Sequence, residues 1–269
     1  MADSDDEPIT LSSHALAALA EFHAEKDAHQ QTFEKLKTGI AAEDGAGAGA
    51  GAGDDAGGRV AASAAGGDEP LSMSVFVEDW NESQFWYLDE SAAILADQLL
   101  HGASSTTTIG VLSTPSVFVA LKNIVRKQPA QDRPKLVLFE HDDRFNVFPE
   151  FVFYDYQQPF KLPGTLDPTA TQLPPNKSNE AKYTPKSVIL TDLFALTAKW
   201  LLKPSPKPAP LPRVIVCTGE RMASIVSKLY RSLEVNTTTF EPAHAGLSNH
   251  YYCYANFESP TWTWRPETD

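Results

Sequence analysis

Glu140 and Asp155 each follow a short apolar run of strand-forming residues, Leu136-Val-Leu-Phe139 and Val152-Phe-Tyr154. A carboxylate just after the second strand of a nucleotide-type half-sheet can take both hydroxyls of a ribose. It can equally be a solvated acid at a loop start. Asp155 can accept from an adenine amino group or a water, or it can cap a turn. Ser113, Thr114 and Pro115 make the first strand–helix turn, which contains no glycine. No G-x-G-x-x-G is present, and Gly102 and Gly110 are too far apart to supply one, so a cofactor smaller and less anionic than a dinucleotide is expected. His141, Asp142 and Asp143 are adjacent in the chain and rarely would such neighbours converge on one ion, so no metal site is expected. Neither a G-x-S-x-G elbow nor a P-loop occurs. The aromatic group Trp80, Phe85, Trp86 and Tyr87 reads either as core or as a lid over a ligand. Trp262 and Trp264 either clamp the fold or form a tail.

The elements that must position these residues follow from the pattern of apolar residues. Ser74–Val77 reads as a short strand and Asp89 as the start of a helix through Leu100. Thr107–Leu112, Lys135–Phe139, Phe151–Tyr154, Ser187–Leu190 and Arg213–Cys217 read as strands. Pro115 suits the first turn of a helix carrying Val117, Phe118, Leu121, Ile124 and Val125. Further helices are expected over 192–202 and 221–230, and two closing, mutually antiparallel strands over 235–240 and 250–257. Strands alternating with helices, with continuous apolar strands, indicate an α/β fold: a parallel sheet covered on both faces, with an antiparallel edge. Ligands of such sheets lie beyond the carboxyl ends of the strands, where the strand order reverses. Ser113, Thr114, Glu140, Asp142, Asp155, Asp192 and Thr218 all fall at such ends.

The chain has 269 residues and a formal net charge of −13. The charge is unevenly placed: 14 acidic and 4 basic residues precede Leu71, while 21 and 18 follow it. The near-neutral body lacks the basic footprint of a duplex nucleic-acid binder. No apolar run approaches the roughly 20 residues needed to span a bilayer. Met1-Ala-Asp-Ser-Asp-Asp resembles neither a secretory nor a transit segment. Cys217 and Cys253 have no zinc spacing, and two buried thiols in a reducing compartment are expected. Residues 1–40 are expected to form an amphipathic helix, with Ser12 or Ser13 as its cap, a run toward Leu36 and a stop at Gly39. The Gly/Ala-rich residues 41–70 can bury almost nothing and read as a disordered linker. Residues 71–269 form the body.

Several segments, in order along the chain, resemble one family. They are Leu11-Ser-Ser-His-Ala-Leu-Ala-Ala-Leu19, Asp79-Trp-Asn-Glu-Ser-Gln-Phe-Trp-Tyr87, Leu112-Ser-Thr-Pro-Ser-Val-Phe118, Leu138-Phe-Glu-His-Asp-Asp-Arg-Phe145, Phe151-Val-Phe-Tyr-Asp-Tyr156, Val216-Cys-Thr-Gly219 and Tyr252-Cys-Tyr-Ala-Asn-Phe257. The sequence is similar to the eukaryotic lysine methyltransferases of translation elongation factor 1-alpha, formerly grouped as N-6 adenine-specific DNA methyltransferase-like proteins. The resemblance implies a seven-stranded, Rossmann-like methyltransferase sheet and S-adenosyl-L-methionine as cofactor. By position, Ser113, Thr114 and Pro115 would form the cofactor loop, Glu140 would hold the ribose, and Asp155 would sit near the adenine. The implied protein substrate is elongation factor 1-alpha, and the chain is expected to be a cytoplasmic monomer.

One departure bears on activity. The family carries D-P-P-F/Y after its fourth strand, where the Asp and a prolyl carbonyl would accept from the target amine. Here the chain reads Val188-Ile-Leu-Thr-Asp-Leu-Phe-Ala-Leu-Thr-Ala-Lys-Trp200. Asp192 and Phe194 can be laid on the ends of the motif, but Pro-Pro is absent. Three readings are open: a lost exon end, an inactive protein, or an Asp192 that suffices. The family-like flanks favour the first. Two other function classes remain in play, an adenine-N6 methyltransferase on nucleic acid and a non-catalytic binding module with a vestigial pocket.

Overall fold

The computed structural model describes residues 12–46, 70–79, 84–155, 157–158, 187–191, 212–247 and 250–266. The chain divides into two compact units, Met1–Asp68 and Glu69–Asp269. The first contributes helix α1, Ser13–Ala46. Ser12 is its cap: its Oγ accepts from the Ala15 N–H at 3.2 Å, and its carbonyl accepts from Leu16. The helix does not stop at Gly39, because one interior glycine costs only about 1 kcal/mol and Ala41, Ala42 and Glu43 favour continuation. Leu16, Leu19 and Phe22 are exposed on it.

The second unit is a mixed α/β sheet flanked by helices. Its strands are β1 (Thr108–Leu112), β2 (Lys135–Glu140), β3 (Phe151–Phe153), β4 (Ser187–Thr191), β5 (Arg213–Gly219), β6 (Asn236–Thr237) and β7 (Tyr251–Ala255), in the order β3-β2-β1-β4-β5-β7-β6. The first five are parallel, and β7 is antiparallel to both β5 and β6. The order reverses between β1 and β4, which places the crevice for a ligand beyond their carboxyl ends. Helices α2 (Asp89–Leu100) and α3 (Pro115–Val125) pack on each other and against β1, β2 and β4. Pro115 sits in the first turn of α3, as its fixed φ and missing N–H predict. The opposite face is built from Leu112, Val137, Phe139, Val214, Val216 and Tyr254, with Val226 and Tyr230 from the region of α4 (Ala223–Leu229). Burial of each such side chain contributes roughly 1.5–3 kcal/mol.

Three local expectations change. Residues 73–75 form a 3-10 turn rather than a strand. Ser72 Oγ accepts from Ser74 N–H, and the next carbonyls are taken by side chains: Phe76 O by Trp86 Nε1 and Val77 O by Arg144 Nη1. The strand expected over 235–240 keeps only two ladder residues. Thr238 donates from both its N–H and its hydroxyl to Cys253 O, and Phe240 N–H turns back to Thr238 Oγ1. Finally, β6 and β7 are antiparallel neighbours as expected, but β7 lies inside and the short β6 forms the edge. Both cysteines are buried thiols outside any disulfide, Cys217 opposite Cys253 across β5 and β7. Most of the expected linker, the 159–185 loop, the helix expected at 192–202, Asp192 itself and Trp80 lie outside the described residues.

Candidate functional site

The strand register brings the expected residues to one edge. Leu112 of β1 lies opposite Phe139 of β2, and the Ser113 N–H donates to Phe139 O at 2.9 Å. Ser113 and Glu140 therefore stand side by side one step past the last matched pair. On the other side Leu112 faces Leu190, so Thr191 continues the row, followed by Cys217 of β5. Strand spacing near 4.8 Å makes this row a narrow shelf. Asp192, the next residue after β4, falls outside the described residues.

Ser113 takes φ 52°, the left-handed region, so a serine does here what glycine does in a glycine-rich turn. It is half-buried, whereas Thr114 and Pro115 are buried. Thr114 gives its carbonyl to the N–H groups of Val117 and Phe118 and its hydroxyl to Leu112 O, which fixes the start of α3. Only Ser113 of the three presents surface at the shelf.

Glu140 is 8% exposed. Its Oε1 accepts from the N–H groups of His141 at 2.7 Å and Asp142 at 3.2 Å, while its Oε2 has no partner among the described residues. Burial raises its pKa above the ordinary value, against those two backbone bonds, which lower it. An acceptor-only oxygen left open on a buried carboxylate suits a diol or another hydroxyl donor. Asp155 is placed differently. Its Oδ1 accepts from Gln157 N–H and its Oδ2 from Gln158 Nε2, both at 2.8 Å, so it caps the turn that follows β3. Among the described residues no group of three or more His, Cys, Asp or Glu gathers as a metal site, and no helix is long and apolar enough to cross a membrane.

Asp142, expected at the strand ends, is the centre of a hydrogen-bonded set that the sequence does not reveal. Asp142 accepts from Arg144 Nη2 at 2.7 Å, from Arg144 N–H and Nε, and from Gln84 Nε2 at 3.0 Å. Gln84 Oε1 in turn accepts from Arg144 Nη2 at 2.8 Å. Burial raises the Asp142 pKa, but these hydrogen bonds outweigh it and the net shift is downward. Gln84 begins a strap whose far end is Tyr87 and Leu88. There Leu88 N–H donates to Ala243 O, and Tyr87 pairs with His244. In the strand order, these two anchors lie on opposite sides of β1 and β4. The aromatic group is thus partly core, through Trp86 edge-on to Phe145, and partly a strap at the ligand edge. The sequence offers the lid reading of this aromatic group, but not its anchoring through Gln84 to Asp142 and Arg144.

A family model described as probable N6-adenine methyltransferase matches residues 78–259. The Saccharomyces cerevisiae protein named protein-lysine N-methyltransferase EFM5 is 38% identical over 94% of this chain and 94% of its own length. The Gallus gallus protein named EEF1A lysine methyltransferase 1 is 33% identical over 96% and 99%. A Caenorhabditis elegans protein-lysine N-methyltransferase, M142.8, is 32% identical over 97% and 99%. With the buried shelf carboxylate at a strand-order reversal, and likeness along nearly the whole length, the chain belongs to this family of protein-lysine N-methyltransferases.

Proposed function

We propose that the chain is a cytoplasmic, S-adenosyl-L-methionine-dependent methyltransferase that modifies a lysine of translation elongation factor 1-alpha and acts as a monomer. The observation that carries the cofactor is Glu140: a buried carboxylate with one oxygen open, next to Ser113 on the shelf. The relatives' names support the lysine target and the elongation factor, and the strand order supports a ligand crevice at the β1/β4 edge. S-adenosyl-L-methionine, when bound, supplies a methyl group on a sulfonium. Glu140 would accept from its ribose hydroxyls, and the Ser113-Thr114-Pro115 turn would pass beneath it. Asp155, with both oxygens engaged in its turn, would meet the adenine only through its remaining lone pairs. Asp192 is the candidate for orienting the amine. Catalysis would rest on alignment and exclusion of water rather than on a covalent enzyme intermediate.

The test is incubation of the chain with methyl-labelled cofactor and purified elongation factor. Label on lysine is the expected result. Cofactor binding without lysine label would remove the transfer reaction and leave the reading in which the shortened segment after β4 has lost the chemistry. The adenine-N6 reading draws on the description of the family model, but the near-neutral body lacks the Lys/Arg clusters that phosphate contacts need.

A further inference from the structure

The strap ends on an aromatic stack that the cofactor reading does not use. The His244 ring lies against both Tyr87 and Tyr251, with ring centroids 4.3 Å from each and planes tilted by 41° and 54°. Tyr251 faces Gly219, the last residue of β5, so the stack stands at the same carboxyl edge as Glu140 and Ser113. The backbone holds it there. Leu88 N–H donates to Ala243 O, and Ala243 N–H donates to Ser91 Oγ in the first turn of α2. Tyr87 is buried and forms the floor, while His244 and Tyr251 are half-buried and partly meet solvent.

Burial pushes the His244 pKa down to about 4. The imidazole is therefore neutral near pH 7 and keeps one nitrogen as an acceptor. A neutral acceptor beside two tilted aromatic rings suits a primary alkylammonium or amine on a flexible apolar stem. Aromatic rings attract such a cation. Such an imidazole is too weak a base to remove the ammonium proton, which must leave to water before the amine can attack a methyl group.

Resting on the methyltransferase reading above, we propose that Tyr87, His244 and Tyr251 are the wall that receives the substrate lysine side chain, with His244 accepting a hydrogen bond from its amino group. These residues set specificity and orientation and do not act as a base.

The test uses n-butylammonium, which copies the lysine side chain, titrated into the full-length protein while histidine ring resonances are followed by NMR. The His244 signal is assigned by its loss in His244→Asn. A saturable shift at His244, with affinity about tenfold weaker in Tyr251→Leu and restored in Tyr251→Phe, is the expected result. If Tyr251→Leu does not fold, the wild-type shift decides. A His244 signal that moves no more than those of His14 and His23 on α1 overturns the site. Methyl transfer is read separately. A His244 shift without lysine label overturns the methyltransferase reading and leaves the alkylammonium site standing, whereas lysine label with His244 unmoved overturns the site alone.

Discussion

Glu140, the last residue of β2, and Asp142, two residues on, have carboxyl pKa values driven in opposite directions. Burial raises Glu140, whereas the bonds from Arg144 and Gln84 lower Asp142 despite its own burial. The backbone N–H of Asp142 donates to Glu140 Oε1 and lowers the Glu140 pKa, whereas the negative charge of the Asp142 carboxylate raises it. Environments that separate two neighbouring carboxyls in this way occur at functional sites as well as in structural ion-pair networks.

The open carboxylate binds at a cost to the fold. A raised native pKa means that the folded chain holds the Glu140 proton more tightly than the unfolded chain does. Its contribution to stability is present below 4.5, the ordinary value, and is lost as pH rises through the native value. Glu140→Gln should therefore gain stability over wild type as pH goes from acid to neutral, read by urea denaturation. The same variant should bind S-adenosyl-L-methionine about tenfold or more weakly by calorimetry, through loss of a charge-assisted bond.

Asp142 has the opposite sign. Its stabilising contribution is full above 3.8 and is lost as pH falls through its depressed native value. Asp142→Asn should flatten the acid side of the stability profile and also loosen the strap. Gln84→Leu, which removes two strap bonds while leaving the Asp142–Arg144 pair, should cost about 1–2 kcal/mol in denaturation.

Asn256 closes the start of β5. Its Oδ1 accepts from Val214 N–H and its Nδ2 donates to Pro212 O, both at 2.9 Å. Asn256→Ala leaves both backbone groups without their partner and should cost about 1–3 kcal/mol, measured as a shift in the denaturation midpoint.

Tyr254 carries a buried hydroxyl with no hydrogen-bond partner among the described residues, and burial pushes its pKa up to about 12. Tyr254→Phe should be neutral or stabilising by up to about 1 kcal/mol, because it removes an unpaid desolvation cost. A clear loss of stability would show that the hydroxyl has a partner.

Much of the sheet is legible because its strands are buried on both faces and so read as continuous apolar runs. Ile109–Leu112, Leu136–Phe139 and Val214–Cys217 are examples. The 3-10 turn at Met73–Val75 is not legible, since Trp86 and Arg144 decide it through side-chain bonds to Phe76 O and Val77 O. Glu140 could be picked out from its place after an apolar strand. The stack of Tyr87, His244 and Tyr251 could not, because residues more than 150 positions apart meet only once β7 has paired with β5.

The placing of β7 between β5 and β6 has a consequence for biogenesis. Both flanking strands are made before the one that joins them, so β5 leaves the ribosome with an open edge of unpaired N–H and C=O groups. Val214, Ile215 and Val216 make that edge apolar and suited to pairing with another chain. A chain cut before Tyr251 would keep α2, α3 and the parallel strands and would be expected to self-associate through β5. Among the described strands β7 is the last to be made, and its pairing closes that edge of β5.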